Sequence, residues 1–107
     1  MQRYGQIIGL APGTAERYDA LHAAVWPAVL ATIRRCNIRN YSIFRHGMLL
    51  FAYFEYVGTD FAADMATMAA DPATREWWAL TDPLQVPLEP RVPGEWWARM
   101  TEVFHTE

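Results

Sequence analysis

An α+β fold with one antiparallel sheet and its helices on one face is predicted by three observations. β-rich runs and helical stretches follow one another in the order β-α-β-β-α-β. The two middle β runs, within IRNYSIFRHGMLLFAYFEYVG (residues 38–58), flank a single turn signal at Arg45-His46-Gly47, as an antiparallel hairpin requires. The chain is 52% hydrophobic and 14% aromatic over 107 residues, enough for one core, so residues 1–107 are read as a single domain.

Each element has a local reason. QRYGQIIGL (2–10) reads as a strand ended by the breaker Ala11-Pro12-Gly13. Thr14 is placed to cap a helix with Glu16 in its first turn, and that helix is expected to run to about Arg35. Leu21, Val25, Val29 and Ile33, four apart, form its expected core stripe. Pro27 removes one N–H and crowds the carbonyl of residue 23, so a kink is expected there. After the hairpin, Gly58-Thr59-Asp60 opens a helix with Phe61, Met65 and Met68 or Ala69 on one face. Asp71-Pro72 is a cap followed by proline at the first helical position, starting a short helix through Trp77 and Trp78. Residues 81–95 hold four of the seven prolines and read as a loop, and WARMTEVFHTE (97–107) reads as a closing strand. The whole order is that of a ferredoxin-like domain.

One strand asks for more than two helices can give. From Leu49 to Tyr56 both alternating sets are apolar: Leu49, Phe51 and Tyr53 on one side, Leu50, Ala52, Phe54 and Tyr56 on the other. A half-exposed antiparallel strand alternates with polar residues. Helices cover one face, and a second copy of the sheet is the simplest cover for the other, which predicts a homodimer. An aromatic-lined ligand pocket is the alternative. Glu55, inside this apolar run, needs a partner such as arginine or an edge open to water.

Absences narrow the chemistry. All nine basic residues are arginine, so no lysine is present for a Schiff base. The glycines form no phosphate loop, and Ser42 is the only serine. His22, His46 and His105 show no metal-ligand spacing. A formal charge of −3 gives no basic field for nucleic acid, and no run approaches the ~20 apolar residues of a membrane span. The single cysteine, Cys36, and a start without signal-peptide layout fit a reducing, cytoplasmic setting. His, Asp, Glu, Tyr and Trp remain for chemistry.

Against that background YDALHAAVWP (18–27) stands out. Tyr18, His22 and Trp26 recur every fourth residue, so on one helix they form a ridge beside the apolar stripe, with polar atoms within reach of a common pocket. Trp77-Trp78 offers either core or a binding wall; Trp96-Trp97 is read as core or dimer contact.

Taken in order, the Y-x-x-x-H-x-x-x-W-P pattern, Asn40-Tyr41 entering the second strand, LLFAYFE at 49–55, Trp77-Trp78 and Glu102-Val103-Phe104-His105 make the chain resemble the L-rhamnose mutarotase family over nearly its whole length. The resemblance implies a ferredoxin-like homodimer, forming a dimeric α/β barrel, that interconverts the α and β anomers of L-rhamnose without a cofactor or metal. It makes His22 the proton donor and Tyr18, Tyr41, Trp77 and Trp78 the sugar-binding residues. The proline-rich ALTDPLQVPLEP (79–90) departs from the family's pattern, which leaves L-fucose or a related deoxyhexose open as substrate. A cofactor-free monooxygenase of the dimeric-barrel type and a non-catalytic sugar-binding module are the other readings. Mutarotation breaks no C–C or C–H bond; it moves protons on two oxygens, a task suited to imidazole, whose ordinary pKa is ~6.5.

Overall fold

The structure, a computed structural model, describes residues 1–107. Strand β1 (Gln2–Leu10) leads into helices α1 (Ala15–His22) and α2 (Pro27–Arg35). The hairpin β2 (Ile38–His46) and β3 (Leu49–Tyr56) follows, then helices α3 (Phe61–Ala70) and α4 (Pro72–Thr81). A 3₁₀ turn at Asp82–Leu84, β4 (Gln85–Val86) and β5 (Ala98–Met100) complete the chain. The sheet is antiparallel, ordered β2-β3-β1-β4 with β5 also on β1. This is the ferredoxin-like arrangement expected from the order of elements. No helix is long and apolar enough to cross a membrane.

β3 lies inside the sheet, between β2 and β1, and shows the expected two-sided character. Leu50, Ala52, Phe54 and Tyr56 are buried, whereas Leu49, Phe51, Tyr53 and Glu55 are half-buried. The buried set faces the helices in two clusters. Ile8, Leu10, Leu50 and Tyr18 meet Ala15, Leu84 and Trp97. Ile38, Phe54 and Tyr56 meet Ile33, Phe61, Met65 and Met68. Each fully buried aliphatic side chain, such as Ile8 or Leu50, contributes ~1.5–3 kcal/mol by leaving water. Met68 rather than Ala69 completes the inner face of α3, since Ala69 is exposed.

Several local expectations are corrected. The single helix from Thr14 to Arg35 is two helices: α1 stops at His22, Ala23 and Ala24 turn, and Pro27 is the first residue of α2. There the missing N–H would have had no helical partner anyway, so proline starts a helix instead of kinking one. The break disperses the expected stripe: Val29 is buried, Leu21, Val25 and Ile33 are half-buried, and Tyr18 and Thr32 take inner positions. Thr14 sits at the cap position, but its hydroxyl donates to the Ala11 carbonyl at 2.7 Å rather than capping α1. Asp60 and Asp71 do cap, accepting from Ala63 and Thr74 backbone N–H groups at 3.1 and 3.0 Å. The hairpin turn is Gly47-Met48, sharing Gly47 with the turn read at 45–47 but ending one residue later, with Gly47 at φ 58°, a left-handed conformation that suits glycine. The closing strand is three residues long, and residues 101–107 are exposed without regular structure. The 81–95 segment carries β4.

Candidate functional site

The cluster of interest forms where the end of α1, the start of α2, and α4 meet the helix-facing side of the sheet. Tyr18 is 3% exposed, with its ring stacked on His22 at 4.1 Å between centroids and 20° between planes. His22 closes α1 and is half-buried. Its Nδ1 lies 2.9 Å from the backbone carbonyl oxygen of Tyr18. A carbonyl only accepts, so Nδ1 carries a proton there, and Nε2 makes no hydrogen bond within the chain.

Trp26 does not continue the ridge one helical turn above His22, because α1 has ended. The indole of Trp77 fills that place, edge-on to His22 at 5.3 Å and to Trp26 at 5.2 Å. Trp77 is buried, whereas Trp78, the next residue round α4, is 37% exposed and makes none of these ring contacts. Asp71 and Pro72 hold α4 in place from below: the Asp71 carboxylate accepts from both the backbone and the hydroxyl of Thr74. Arg45 at the end of β2 clamps Asp19 of α1 with two bonds of 2.9 and 2.7 Å, tying the helix that carries Tyr18 and His22 to the sheet. That guanidinium holds the Asp19 carboxyl below its usual range.

Tyr41 reaches the cluster through a β-bulge. Arg39 pairs with Glu55 and Ser42 with Tyr53, so two residues of β2, Asn40 and Tyr41, stand opposite the single Phe54. The extra residue returns Tyr41 to the helix-facing side, where its ring lies 5.5 Å from Phe54. Asn40 takes φ 49° and turns the other way, donating to Glu55 at 2.7 Å. Glu55 therefore finds the Tyr53 hydroxyl (2.7 Å) and Asn40 as direct partners, and these, the Tyr53 bond first, together with the charge of Arg3 hold its carboxyl below the usual range. Tyr41 as a whole is 40% exposed, yet desolvation and the neighbouring Tyr18 push its phenol up to about 12. At neutral pH Tyr41 is thus a hydrogen-bond donor and not a base.

Two further residues belong here that sequence reasoning did not single out as site residues. Gln85, buried in β4, donates from Nε2 to the Tyr18 hydroxyl at 3.3 Å, and Trp96 donates from its indole to Gln85 Oε1 at 2.7 Å. The only sequence signal was a lone amide in the apolar run Leu84-Gln85-Val86. Open depressions of about 500 Å³ beside Glu16, Arg17 and Leu21, and about 630 Å³ beside Arg91, Arg99 and Met100, lie elsewhere and contain no aromatic ring. They offer no flat apolar face for a sugar ring. No three His, Cys, Asp or Glu side chains converge as metal ligands would.

Comparison with known proteins gives a consistent picture. The family model for L-rhamnose mutarotase matches residues 3–106. An L-rhamnose mutarotase from Lactiplantibacillus plantarum is 30% identical over 112 residues, covering 100% of both chains. An L-fucose mutarotase from Xanthomonas campestris pv. campestris is 34% identical over 110 residues, covering 97% of this chain and 87% of the other. Among solved structures, the L-rhamnose mutarotase of Formosa agariphila superposes with a TM-score of 0.77 at 21% identity, covering 100% of each chain, a likeness of fold.

Proposed function

The chain belongs to the L-rhamnose mutarotase family, and on that premise we propose that it interconverts the α and β anomers of L-rhamnose, an isomerase reaction, at the Tyr18–His22–Tyr41 cluster. The observation that carries this reading is the geometry of His22. Its Nδ1–H is committed to the Tyr18 carbonyl, its ring is braced between Tyr18 and Trp77, and Nε2 is left for the ligand. In the cationic form, Nε2–H gives its proton to the sugar's ring oxygen as the C1–O5 bond breaks. The anomeric hydroxyl releases its proton to water as C1=O1 forms. After the aldehyde turns about C1–C2, the neutral Nε2 takes the O5 proton back while O5 attacks the other face of C1 and O1 is reprotonated. Protons balance over the cycle, and the step is of the kind in which a positioned acid–base group is worth ~10²–10⁴-fold.

The neighbouring groups fit a polyol with an apolar edge. Tyr41, and Tyr18 through its hydroxyl, supply donors to sugar oxygens; Trp26 and Trp77 supply the apolar wall, with Trp78 at its outer margin. The identity of 34% to an L-fucose mutarotase favours one second reading, L-fucose as the preferred substrate. Saturation-transfer NMR of anomer exchange on L-rhamnose, L-fucose and L-mannose, with wild type and His22→Ala, tests both readings. Catalysis of the first sugar that is lost in the variant is expected; a His22→Ala protein as fast as wild type refutes the site.

The working unit is a homodimer closed by sheet-to-sheet packing into a dimeric α/β barrel. Ile7, Phe51 and Phe44 stand side by side across three strands on the face away from the helices, and Phe44 is 65% exposed. A second copy is the cover that supplies an equally apolar, self-complementary surface.

A further inference from the structure

The hydrogen bonds behind Tyr18 run in one direction only. The indole N–H of Trp96 has no lone pair to offer, so it fixes Oε1 of Gln85 as the acceptor and turns the Nε2 amide group toward Tyr18. The Tyr18 hydroxyl therefore already accepts a hydrogen bond from the protein side. Its own proton has to point away from Gln85. We propose that Gln85, locked by Trp96, is a positioning residue that fixes Tyr18 as a donor to the sugar, so that the substrate oxygen beside His22 is held by a proton whose direction the protein has set in advance. The proposal rests on the mutarotase reading and deepens it.

The arrangement also explains the order of the proline-rich segment. Gln85 and Trp96 sit at its two ends, eleven residues apart, and their bond closes residues 86–95 into a loop beside the cluster. Gln85 is 8% exposed and pairs with Leu10 of β1, so its backbone is fixed by the sheet and its side chain by the indole. An acceptor-only side chain at this position would reverse the direction. A carboxylate would accept from Trp96 and also from the Tyr18 O–H, drawing that proton away from the sugar.

The test uses Gln85→Glu and Gln85→Met, each alone and combined with Tyr18→Phe, assayed by anomer exchange on L-rhamnose. Titratable groups around position 85 are Tyr18 and His22 from α1, Tyr41 from β2 and Asp82 from the 3₁₀ turn. Rates are therefore expressed relative to the matched Gln85 protein at each pH, which cancels their common contribution. Gln85→Glu should lose about tenfold or more in kcat at pH 8 and recover as pH falls toward ~5, where a buried carboxyl becomes protonated and donates again. Gln85→Met, which removes both bonds at similar volume, should lose kcat with no such recovery. Neither substitution should cost anything further once Tyr18 is phenylalanine. A pH-independent loss in Gln85→Glu, or equal losses with Tyr18 and with Phe at position 18, overturns the proposal. Should Gln85→Glu not fold, Gln85→Met alone decides: full kcat overturns it, and a loss confined to the Tyr18 background supports it. Wild type that does not speed anomer exchange sinks the mutarotase reading, whereas active wild type with unchanged variants sinks only the role of Gln85.

Discussion

The imidazole of His22 lies face to face with the ring of Tyr18, 4.1 Å between centroids, and binds through Nδ1 to the carbonyl oxygen of that same residue at 2.9 Å. One residue thus fixes the plane of the ring and its tautomer together. The termination of α1 at His22 leaves the ring at a helix end, half-buried, with no hydrogen bond within the chain to Nε2. A histidine held at one nitrogen and open at the other is the arrangement general acid–base catalysis needs.

The first prediction separates the two halves of that relationship. His22→Gln keeps a polar side chain at the helix end but cannot exchange protons, so anomer exchange should fall by ~10²–10⁴-fold while the protein stays folded by circular dichroism. Tyr18→Phe keeps the stack and the carbonyl and loses only the hydroxyl, so its rate should fall by about tenfold, the order of one hydrogen bond. A His22→Gln loss no larger than that of Tyr18→Phe would show that His22 is not the main proton-transfer group.

A second prediction concerns Glu55, which sits on the opposite face of the sheet from the cluster. Its carboxylate holds Asn40, and Asn40 in its left-handed conformation is half of the bulge that returns Tyr41 to the helix-facing side. Glu55→Ala should raise KM for the sugar by about two- to tenfold with a smaller change in kcat, since it loosens a binding residue and leaves His22 alone. The sign of the pH effect follows from the depressed carboxyl. Its contribution to stability is present above the ordinary carboxylate pKa and is lost as pH falls through the lowered one, so wild type should lose more thermal stability on acidification than Glu55→Ala. Melting temperatures of both proteins from pH 7 to pH 3 check this.

What could be read from the sequence was what is local. Asp60 and Asp71-Pro72 mark helix starts through their own side chains, and the apolar residues on both faces of β3 mark a strand covered on two sides. The break after His22 was invisible because no glycine marks it: Ala23 and Ala24 are good helix formers, and Leu21, Val25 and Val29 keep a helical period across the gap. Pro27 was the one signal, and it fits a kink as well as a first helical residue. The bulge at Asn40-Tyr41 depends on which β3 residue each faces, a register no single strand contains. Gln85 and Trp96 meet across a loop, so their bond follows from the sheet's pairing with β1 at both ends.

The third prediction is the homodimer. Phe51 stands between Ile7 and Phe44 on the face without helices. Phe51→Glu would place a carboxylate against its symmetry mate in a two-fold interface, where like charges repel and desolvation is unfavourable. Sedimentation should give a mass near twice the 12.3 kDa chain for wild type and a single chain for the variant. Wild type that sediments as a monomer at micromolar concentration would leave the apolar face needing a different cover.

The fourth prediction uses the Tyr41 phenol, pushed from its ordinary 10.0 up to about 12 by desolvation and by Tyr18. In the unfolded chain the phenol ionises near pH 10, whereas the folded protein keeps the proton until about 12. Between those values the unfolded state has lost a proton that the folded state retains, so stability must fall as pH rises. Below pH 10 the two states bind the proton alike and the contribution is constant. Tyr41→Phe removes the group and should flatten this part of the profile in urea titrations at pH 9, 10 and 11. Absorbance near 295 nm, which reports phenolate, should show one fewer late-titrating tyrosine in the variant. The same shift has a functional side: across the neutral range Tyr41 stays a donor, so the pH dependence of anomer exchange between 6 and 9 should be unchanged in Tyr41→Phe even as KM rises. A new pH-dependent step in that variant would mean the phenol takes part in proton transfer and does more than hold the sugar.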